Sequence, residues 1–268
     1  MSRFIHHHTI HWHENRDRPF DDRIIAEEPL SIRIEGHPYS VIMRTPGEEM
    51  AHVAGFCLAE GIVDSPDDIA ALAFCDDTDT NVVTVTLTEA RRAGAIHHLD
   101  RRGFVSQTSC GLCGKEIVDD LRQEIDPIDS AVVLDIAEAY QCLESLSKHQ
   151  SLRDATLAAH GAALFTSDFE LLSLAEDVGR HNALDKAIGK LFIERQLKEA
   201  SLLVLSSRIS YELVQKAARA RLPVILAMSR PTSLAVQLAT QLNITLACID
   251  KKGGLDLFCG NQRLISRS

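Results

Sequence analysis

Aromatic residues are scarce in this chain, making up 5% of 268 residues with a single tryptophan. Any core must therefore be filled by aliphatic side chains, and 45% hydrophobic residues are enough for one substantial core or two coupled ones. Long apolar runs are missing too: none approaches the ~20 residues that span a bilayer, so no membrane partner is expected. There is no excess of positive charge. Lys and Arg number 28 against 38 Asp and Glu, a formal net charge of −10. That balance disfavours non-specific attraction to nucleic acid or anionic membranes, yet leaves room for a local basic pocket. The stretch from Met1 to Pro19 is rich in His and Arg and lacks the apolar core of a secretory signal. The seven cysteines are odd in number and scattered, which points to reduced thiols in the cytoplasm and not to a disulfide framework. No internal repeat or long linker is present.

The organisation falls into three stretches. Residues 1–22 carry His6, His7, His8, His11 and His13 without a steady hydrophobic period, and read as a mobile tail. Residues 23–128 read as a smaller α+β portion. Leu30, Ile32 and Ile34, then Tyr39, Val41 and Met43, alternate with polar residues around Gly36–His37–Pro38, as in a β-hairpin with one buried face. Thr45–Pro46–Gly47–Glu48 has the form of a capping box with Thr45 as N-cap and Pro46 at the first helical position. The helix should bury Met50, Val53, Ala54 and Cys57 and stop at Gly61. A strand over Val82–Leu87 follows, then an irregular stretch from Ile96 to Gly114, then a helix marked by Ile117, Val118, Leu121 and Ile125.

Residues 129–268 read as an α/β portion. A helix is expected from Asp135 to Lys148, a strand pair at Ala158–Thr166 and Glu170–Leu174, and a helix marked by Leu184, Ile188, Leu191 and Phe192. Strands at Leu202–Leu205, Val224–Met228 and Ile244–Ile249 then alternate with helices at Tyr211–Ala220 and Ser233–Leu242. That spacing predicts parallel strands joined by right-handed crossovers, a sheet covered by helices.

The densest chemistry lies in Ser109–Cys110–Gly111–Leu112–Cys113–Gly114–Lys115. Two thiols at this spacing can approach each other, and the glycines let the backbone turn sharply and leave the sulfurs uncovered. A helix opening near Lys115, and Lys115 itself, would favour the thiolate, which is the nucleophilic form. Sulfur or redox chemistry, a zinc site and a structural loop all remain open on these residues. Zinc needs two further ligands, and His97, His98, His160 and His181 stand at no diagnostic spacing. A zinc deaminase would show H-x-E before P-C-x-x-C, and neither is present. Cys57, Cys142 and Cys248 fall among apolar residues and read as buried small hydrophobes, with Cys75 and Cys259 undetermined.

A second cluster follows from topology. The three predicted parallel strands end in Ser206–Ser207–Arg208, in Ser229–Arg230–Pro231–Thr232, and in Asp250–Lys251–Lys252–Gly253–Gly254. All three loops then lie on one sheet edge, where ligands of open α/β sheets bind. Two of them open helices, whose free amides suit phosphate. The bland alternative is helix capping with solvated charges. Arg180 and His181, in Glu176–Asp177–Val178–Gly179–Arg180–His181–Asn182, either reach a ligand or merely follow a capping residue.

In these residues the chain resembles the FdhD family of formate dehydrogenase accessory sulfurtransferases. The matching segments are Glu27 to Leu30, Met43 to Gly47, Gly55 to Ile62, Ser109 to Gly114, Glu176 to Lys186, Ser207–Arg208, Val214 to Ala218 and Pro231 to Ala235, spread over nearly everything after residue 25. The resemblance implies a fold similar to cytidine deaminase without its zinc site, and a homodimer. It implies a sulfurtransferase that takes persulfide sulfur from a cysteine desulfurase. The recipient is the molybdenum or tungsten bis(molybdopterin guanine dinucleotide) cofactor of formate dehydrogenase. On this chain Cys110 becomes the persulfide cysteine and Cys113 its partner. The loop Cys248, Ile249, Asp250, Lys251, Lys252 and Gly253 falls where the family binds the guanine dinucleotide, in agreement with the pocket built from Arg180, His181, Ser207, Arg208, Ser229 and Thr232. One departure stands out. The family's Thr-Gly-Gly-x-His-Ala run reads here Thr156–Leu157–Ala158–Ala159–His160–Gly161–Ala162, without the double glycine.

Overall fold

A computed structural model describes residues 2–13, 16–76, 79–93, 125–250 and 252–266. The chain opens with two antiparallel strands, β1 (Phe4–His13) and β2 (Arg16–Ile25), paired from Phe4 with Ile25 to His13 with Arg16. The sequence, which read residues 1–22 as a mobile tail, marked no strand here. The pattern was hidden because nearly every residue of β1 faces water, Trp12 at 70% exposure among them, so no buried face imposes an alternation.

The next two strands, β3 (Glu28–Ile34) and β4 (His37–Arg44), form the expected hairpin. Leu30, Ile32 and Ile34 are buried as expected. The inward set of β4 differs. Ile32 pairs with Ser40 and Arg33 with Pro38, so Tyr39 is the extra residue of a β-bulge. A bulge shifts the side-chain phase. Ile42 and Arg44 point inward, whereas Val41 and Met43 are exposed. Tyr39 packs edge-on against Phe56, with ring centroids 6.1 Å apart.

The first helix, α1 (Glu49–Ala59), ends as expected, with Glu60 at its C-cap and Gly61 at φ 74°. Its start is different. Glu48 stands at the N-cap in the left-handed region, and Thr45 caps nothing, because its polar atoms are drawn into contacts with the sheet. Strands β5 (Ile69–Asp76) and β6 (Asp79–Leu87) complete a sheet ordered β4-β3-β6-β5. The irregular stretch 96–114 and the helix opening at Ile117 lie outside the described residues.

Beyond these come β7 (Leu134–Asp135), α2 (Ile136–Ser145), α3 (Ser151–Thr156), β8 (His160–Phe165), β9 (Leu171–Asp177) and α4 (Arg180–Ile193). The last third adds β10 (Leu202–Leu205), α5 (Tyr211–Arg219), β11 (Val224–Ala227), α6 (Ser233–Gln241), β12 (Thr245–Ile249), β13 (Leu255–Cys259) and β14 (Leu264–Ile265). The main sheet is ordered β13-β12-β11-β10-β8-β9, with β10, β11 and β12 parallel as expected. Apart from Thr245 these short strands are apolar, because both faces are covered. Leu203, Leu205, Ile225 and Leu246 face the main core, while Leu202, Val204, Val224, Leu226 and Ala247 face a second core beneath α2.

The main core joins both sheets. Leu30, Ile32, Val83 and Val85 of the smaller sheet belong to the same buried cluster as Leu164, Leu203 and Ile225 of the larger. Between them lie α1 and α4, which meet through Gly55 and Gly189. A Cβ on Gly55 would collide with the carbonyl of Asp185, and one on Gly189 with that of Ala51. Only glycine allows two helix backbones to approach so closely at both contacts.

Candidate functional site

The strand directions build the site. Since β8 is antiparallel to both β10 and β9, β9 runs parallel to β10. The carboxyl ends of β9, β10, β11 and β12 therefore share one edge, together with the start of β8 at His160. Helices α4, α5 and α6 all open there. The loops are stitched to one another: Gly161 N–H donates to Ser206 Oγ at 2.8 Å, Met228 N–H to Leu205 O at 2.9 Å, and Thr232 N–H to Ile209 O at 3.0 Å.

The structure thus brings Arg180, His181, Ser207, Arg208, Ser229, Thr232 and the turn after Ile249 to a single edge. Their side chains differ in availability. Arg208 and Lys252 are exposed, and Ser229 and Ile249 are half-buried. Ser207 is buried and its hydroxyl donates to Arg208 O. Thr232 Oγ1 accepts from Ala235 N–H at 3.3 Å, so it caps α6. Asp250 closes its own turn, accepting from Lys252 N–H through its carboxylate and from Gly253 N–H through its carbonyl. Arg230 is paired with Asp256 at 2.7 Å. Cys248 is fully buried in β12, and burial pushes its thiol up. Lys251, Cys110 and Cys113 lie outside the described residues.

His181 Nε2 lies 3.0 Å from Glu212 Oε2 and 3.3 Å from Ser210 Oγ. A Ser–His–acid relay uses opposite ring nitrogens for its two partners. Here both meet the same nitrogen, so this is no nucleophilic triad. The hydrogen bond from His181 holds the Glu212 carboxyl below its ordinary range. One turn further on, Lys216 Nζ meets Asp185 Oδ2 at 2.7 Å. Burial raises the Asp185 carboxyl, and Lys216 opposes that rise. The two pairs join α4 to α5.

Beneath the edge lies a polar knot that sequence reading missed. Lys186 Nζ is fully buried and sits 2.7 Å from Asp177 Oδ2 and 2.7 Å from Thr45 O. The same Oδ2 accepts Thr45 N–H at 3.0 Å, and Thr45 Oγ1 accepts Val178 N–H at 3.0 Å. Asp177 Oδ1 accepts from Gly179 N–H and from Asn182 Nδ2, which also donates to Met43 O. Burial lowers the Lys186 ammonium, and Asp177 opposes that shift. Alongside, the buried Arg44 meets Glu49 at 3.0 Å and Asn81 Oδ1 at 2.7 Å. His52 is wholly buried. Burial, with Lys186, Lys216 and Arg44 behind it, holds it well below the ordinary histidine range, and therefore neutral. The knot fixes the end of β9 and the first turn of α4, and so the positions of Arg180 and His181.

The described cysteines divide clearly. Burial pushes Cys57 far up, Cys142 up to about 11, and Cys259 upward as well. Cys75 is exposed on β5. Among the described residues no group of three His, Cys, Asp or Glu is placed to hold a metal ion, and no helix is long and apolar enough to cross a membrane.

Comparison with known proteins gives consistent results. The family model described as FdhD/NarQ matches residues 25–265. The chain is 39% identical over 257 residues to the sulfur carrier protein FdhD of Streptomyces coelicolor, covering 92% of this chain and 90% of that one. It is 34% identical over 249 residues to the protein of the same name from Sulfurisphaera tokodaii, covering 91% and 92%. A crystal structure from Desulfotalea psychrophila, described provisionally as a formate dehydrogenase accessory protein, has the same fold. It superposes with a TM-score of 0.78 at 21% identity, over 98% of this chain and 100% of that one.

Proposed function

The chain belongs to the FdhD/NarQ family, and on that premise we propose that it is a sulfurtransferase serving a formate dehydrogenase. Cys110 accepts the sulfur and Cys113 assists its release. The Cys110 thiolate attacks the outer sulfur of a cysteine desulfurase persulfide. The donor's S–S bond breaks, the donor cysteine leaves as a thiolate, and Cys110 carries –S–SH. The recipient is the molybdenum or tungsten bis(molybdopterin guanine dinucleotide) cofactor, bound as a client at the carboxyl edge, and the protein acts as a homodimer in the cytoplasm.

The observation that carries this reading is the edge itself. Four strand ends and three helix N-termini converge there with Arg180 and Arg208, in a chain of net charge −10. Such a surface suits a phosphate-bearing ligand. The thiols of Cys57, Cys142, Cys248 and Cys259 are shielded and raised, which makes them poor nucleophiles. Cys75 is exposed on β5, and the reactive role is assigned to the Cys110 pair on the family resemblance.

The test is Cys110→Ala assayed in two ways. Sulfur delivery to a formate dehydrogenase should be abolished while guanine-nucleotide binding is retained. Undiminished delivery by that variant contradicts the assignment.

A further inference from the structure

We infer that the β1–β2 ribbon is a clasp that lies on a second copy of this chain, with the face carrying Ile10, Trp12 and Pro19 against that copy. The inference rests on the homodimer reading above and adds to it the surface through which the two copies meet.

Each strand of the ribbon is ten residues long, about 34 Å at the rise of an antiparallel strand, and the pairing runs unbroken from Phe4 with Ile25 to His13 with Arg16. Its root is fixed to the body. Ala26 N–H donates to Arg3 O at 2.9 Å, Arg3 Nη2 donates to Glu176 O at 3.0 Å, and β2 runs beside α3. Beyond the root the ribbon stands in water. None of its described side chains is buried, and only Phe4, Thr9, Asp22 and Ile25 are half-buried. Ile10 is 54% exposed and Trp12 70%. Ile10 pairs across the strands with Pro19, and the two-residue period of a strand puts Trp12 on the same face. The apolar part of that face therefore lies in the outer half, away from the root.

A two-stranded ribbon with water on both faces is marginally stable at best, and gains stability only by packing on another surface. The cover must be present whenever the ribbon is folded. A second copy in a stable dimer meets that condition, and a transient client does not. The area is sufficient. One face of the ribbon, two strands wide, measures roughly 330 Å². Two ribbons and the surfaces beneath them then bury about 1,300 Å², within the range of stable protein interfaces. The charge fits as well. In residues 1–25 Arg3, Arg16, Arg18 and Arg23 balance Glu14, Asp17, Asp21 and Asp22, so the entire net charge of −10 lies on residues 26–268. A neutral ribbon meets an acidic body without the repulsion that two such bodies exert on each other, and it has no net pull toward nucleic acid or an anionic membrane.

The test reads mass by light scattering and tryptophan emission on the same samples of the full chain. Trp12 is the single tryptophan, so the emission reports on the ribbon alone. The dimer should emit to the blue of a free indole and resist iodide quenching, and dilution to the monomer should shift the emission red over the same concentrations. Ile10→Asp changes a side chain that is exposed in the single chain, so the fold should survive it. It should weaken the dimer by about a hundredfold or more, because a two-fold interface meets the change twice. A dimer in which Trp12 emits and quenches as a free indole overturns the clasp and leaves the homodimer reading standing. A chain that is monomeric at every concentration sinks both. Mass and emission unchanged in Ile10→Asp also overturn the clasp. Emission that shifts blue with phosphatidylglycerol vesicles and not with protein concentration assigns the ribbon to a membrane surface and overturns the second copy as its cover.

Discussion

The buried Lys186 ammonium lies 2.7 Å from an Asp177 carboxylate oxygen and 2.7 Å from the Thr45 carbonyl oxygen. Removing one partner of such a pair leaves the other uncompensated in a poor solvent for ions, at a cost of about 3–5 kcal/mol. Lys186→Met should therefore lower the unfolding free energy read from a urea titration by an amount of that order, and Asp177→Asn likewise, while the double variant should lose less than the sum. His52 gives a separate prediction. Burial holds its folded pKa well below the ordinary histidine value of 6.5, so the unfolded chain binds the proton first as pH falls. Stability contributed by neutral His52 is thus fully present above pH ~6.5. It is lost toward lower pH at up to about 1.4 kcal/mol per pH unit, until the folded-state pKa is reached. Urea unfolding measured from pH 7.5 down to 5.5 should show a shallower loss in His52→Gln than in the wild type. Identical slopes would contradict a neutral buried imidazole. Neither residue was legible in the sequence. Thr45 and Asp177 stand 132 positions apart and Lys186 stands 141 beyond Thr45, so no local pattern marks the knot. Thr45–Pro46–Gly47–Glu48 read locally as a capping box, and the long-range contacts to β9 overrode it.

Among the elements, legibility followed burial. The cores of β10, β11 and β12 were readable because four or five apolar residues in a row, separated by helices, fit little else than strands covered on both faces. The convergence of their loops followed from that reading. The exposed hairpin β1–β2 was not readable, because water on both sides imposes no period, and the phase change at Tyr39 was hidden because a bulge leaves no mark in residue type. The edge strands β5 and β13, only partly covered, escaped for the same reason. The glycine contact between α1 and α4 carries the prediction at this scale. Gly189→Ala would force a methyl into the Ala51 carbonyl, and overpacking of this kind costs about 3 kcal/mol. A thermal midpoint unchanged by Gly189→Ala would show that the helices are not in contact there.

For the molecule as a whole, the shared core means that the smaller sheet, the helix pair and the main sheet should unfold together. Far- and near-ultraviolet dichroism should trace one coincident urea transition. Two separated transitions would show that the portions before and after residue 128 fold independently. The same architecture links structure to function. One core positions four strand ends on a single edge, where we propose that a phosphate-bearing client docks, while burial raises the thiols of Cys57, Cys142, Cys248 and Cys259. The central claim is that Cys110 carries the sulfur, and the direct measurement is peptide mass spectrometry after incubating the full chain with a desulfurase and cysteine. The account predicts a gain of about 32 Da, one sulfur atom, on the peptide holding Cys110, and its loss on reduction. An unmodified Cys110 peptide alongside a turning-over desulfurase would contradict it.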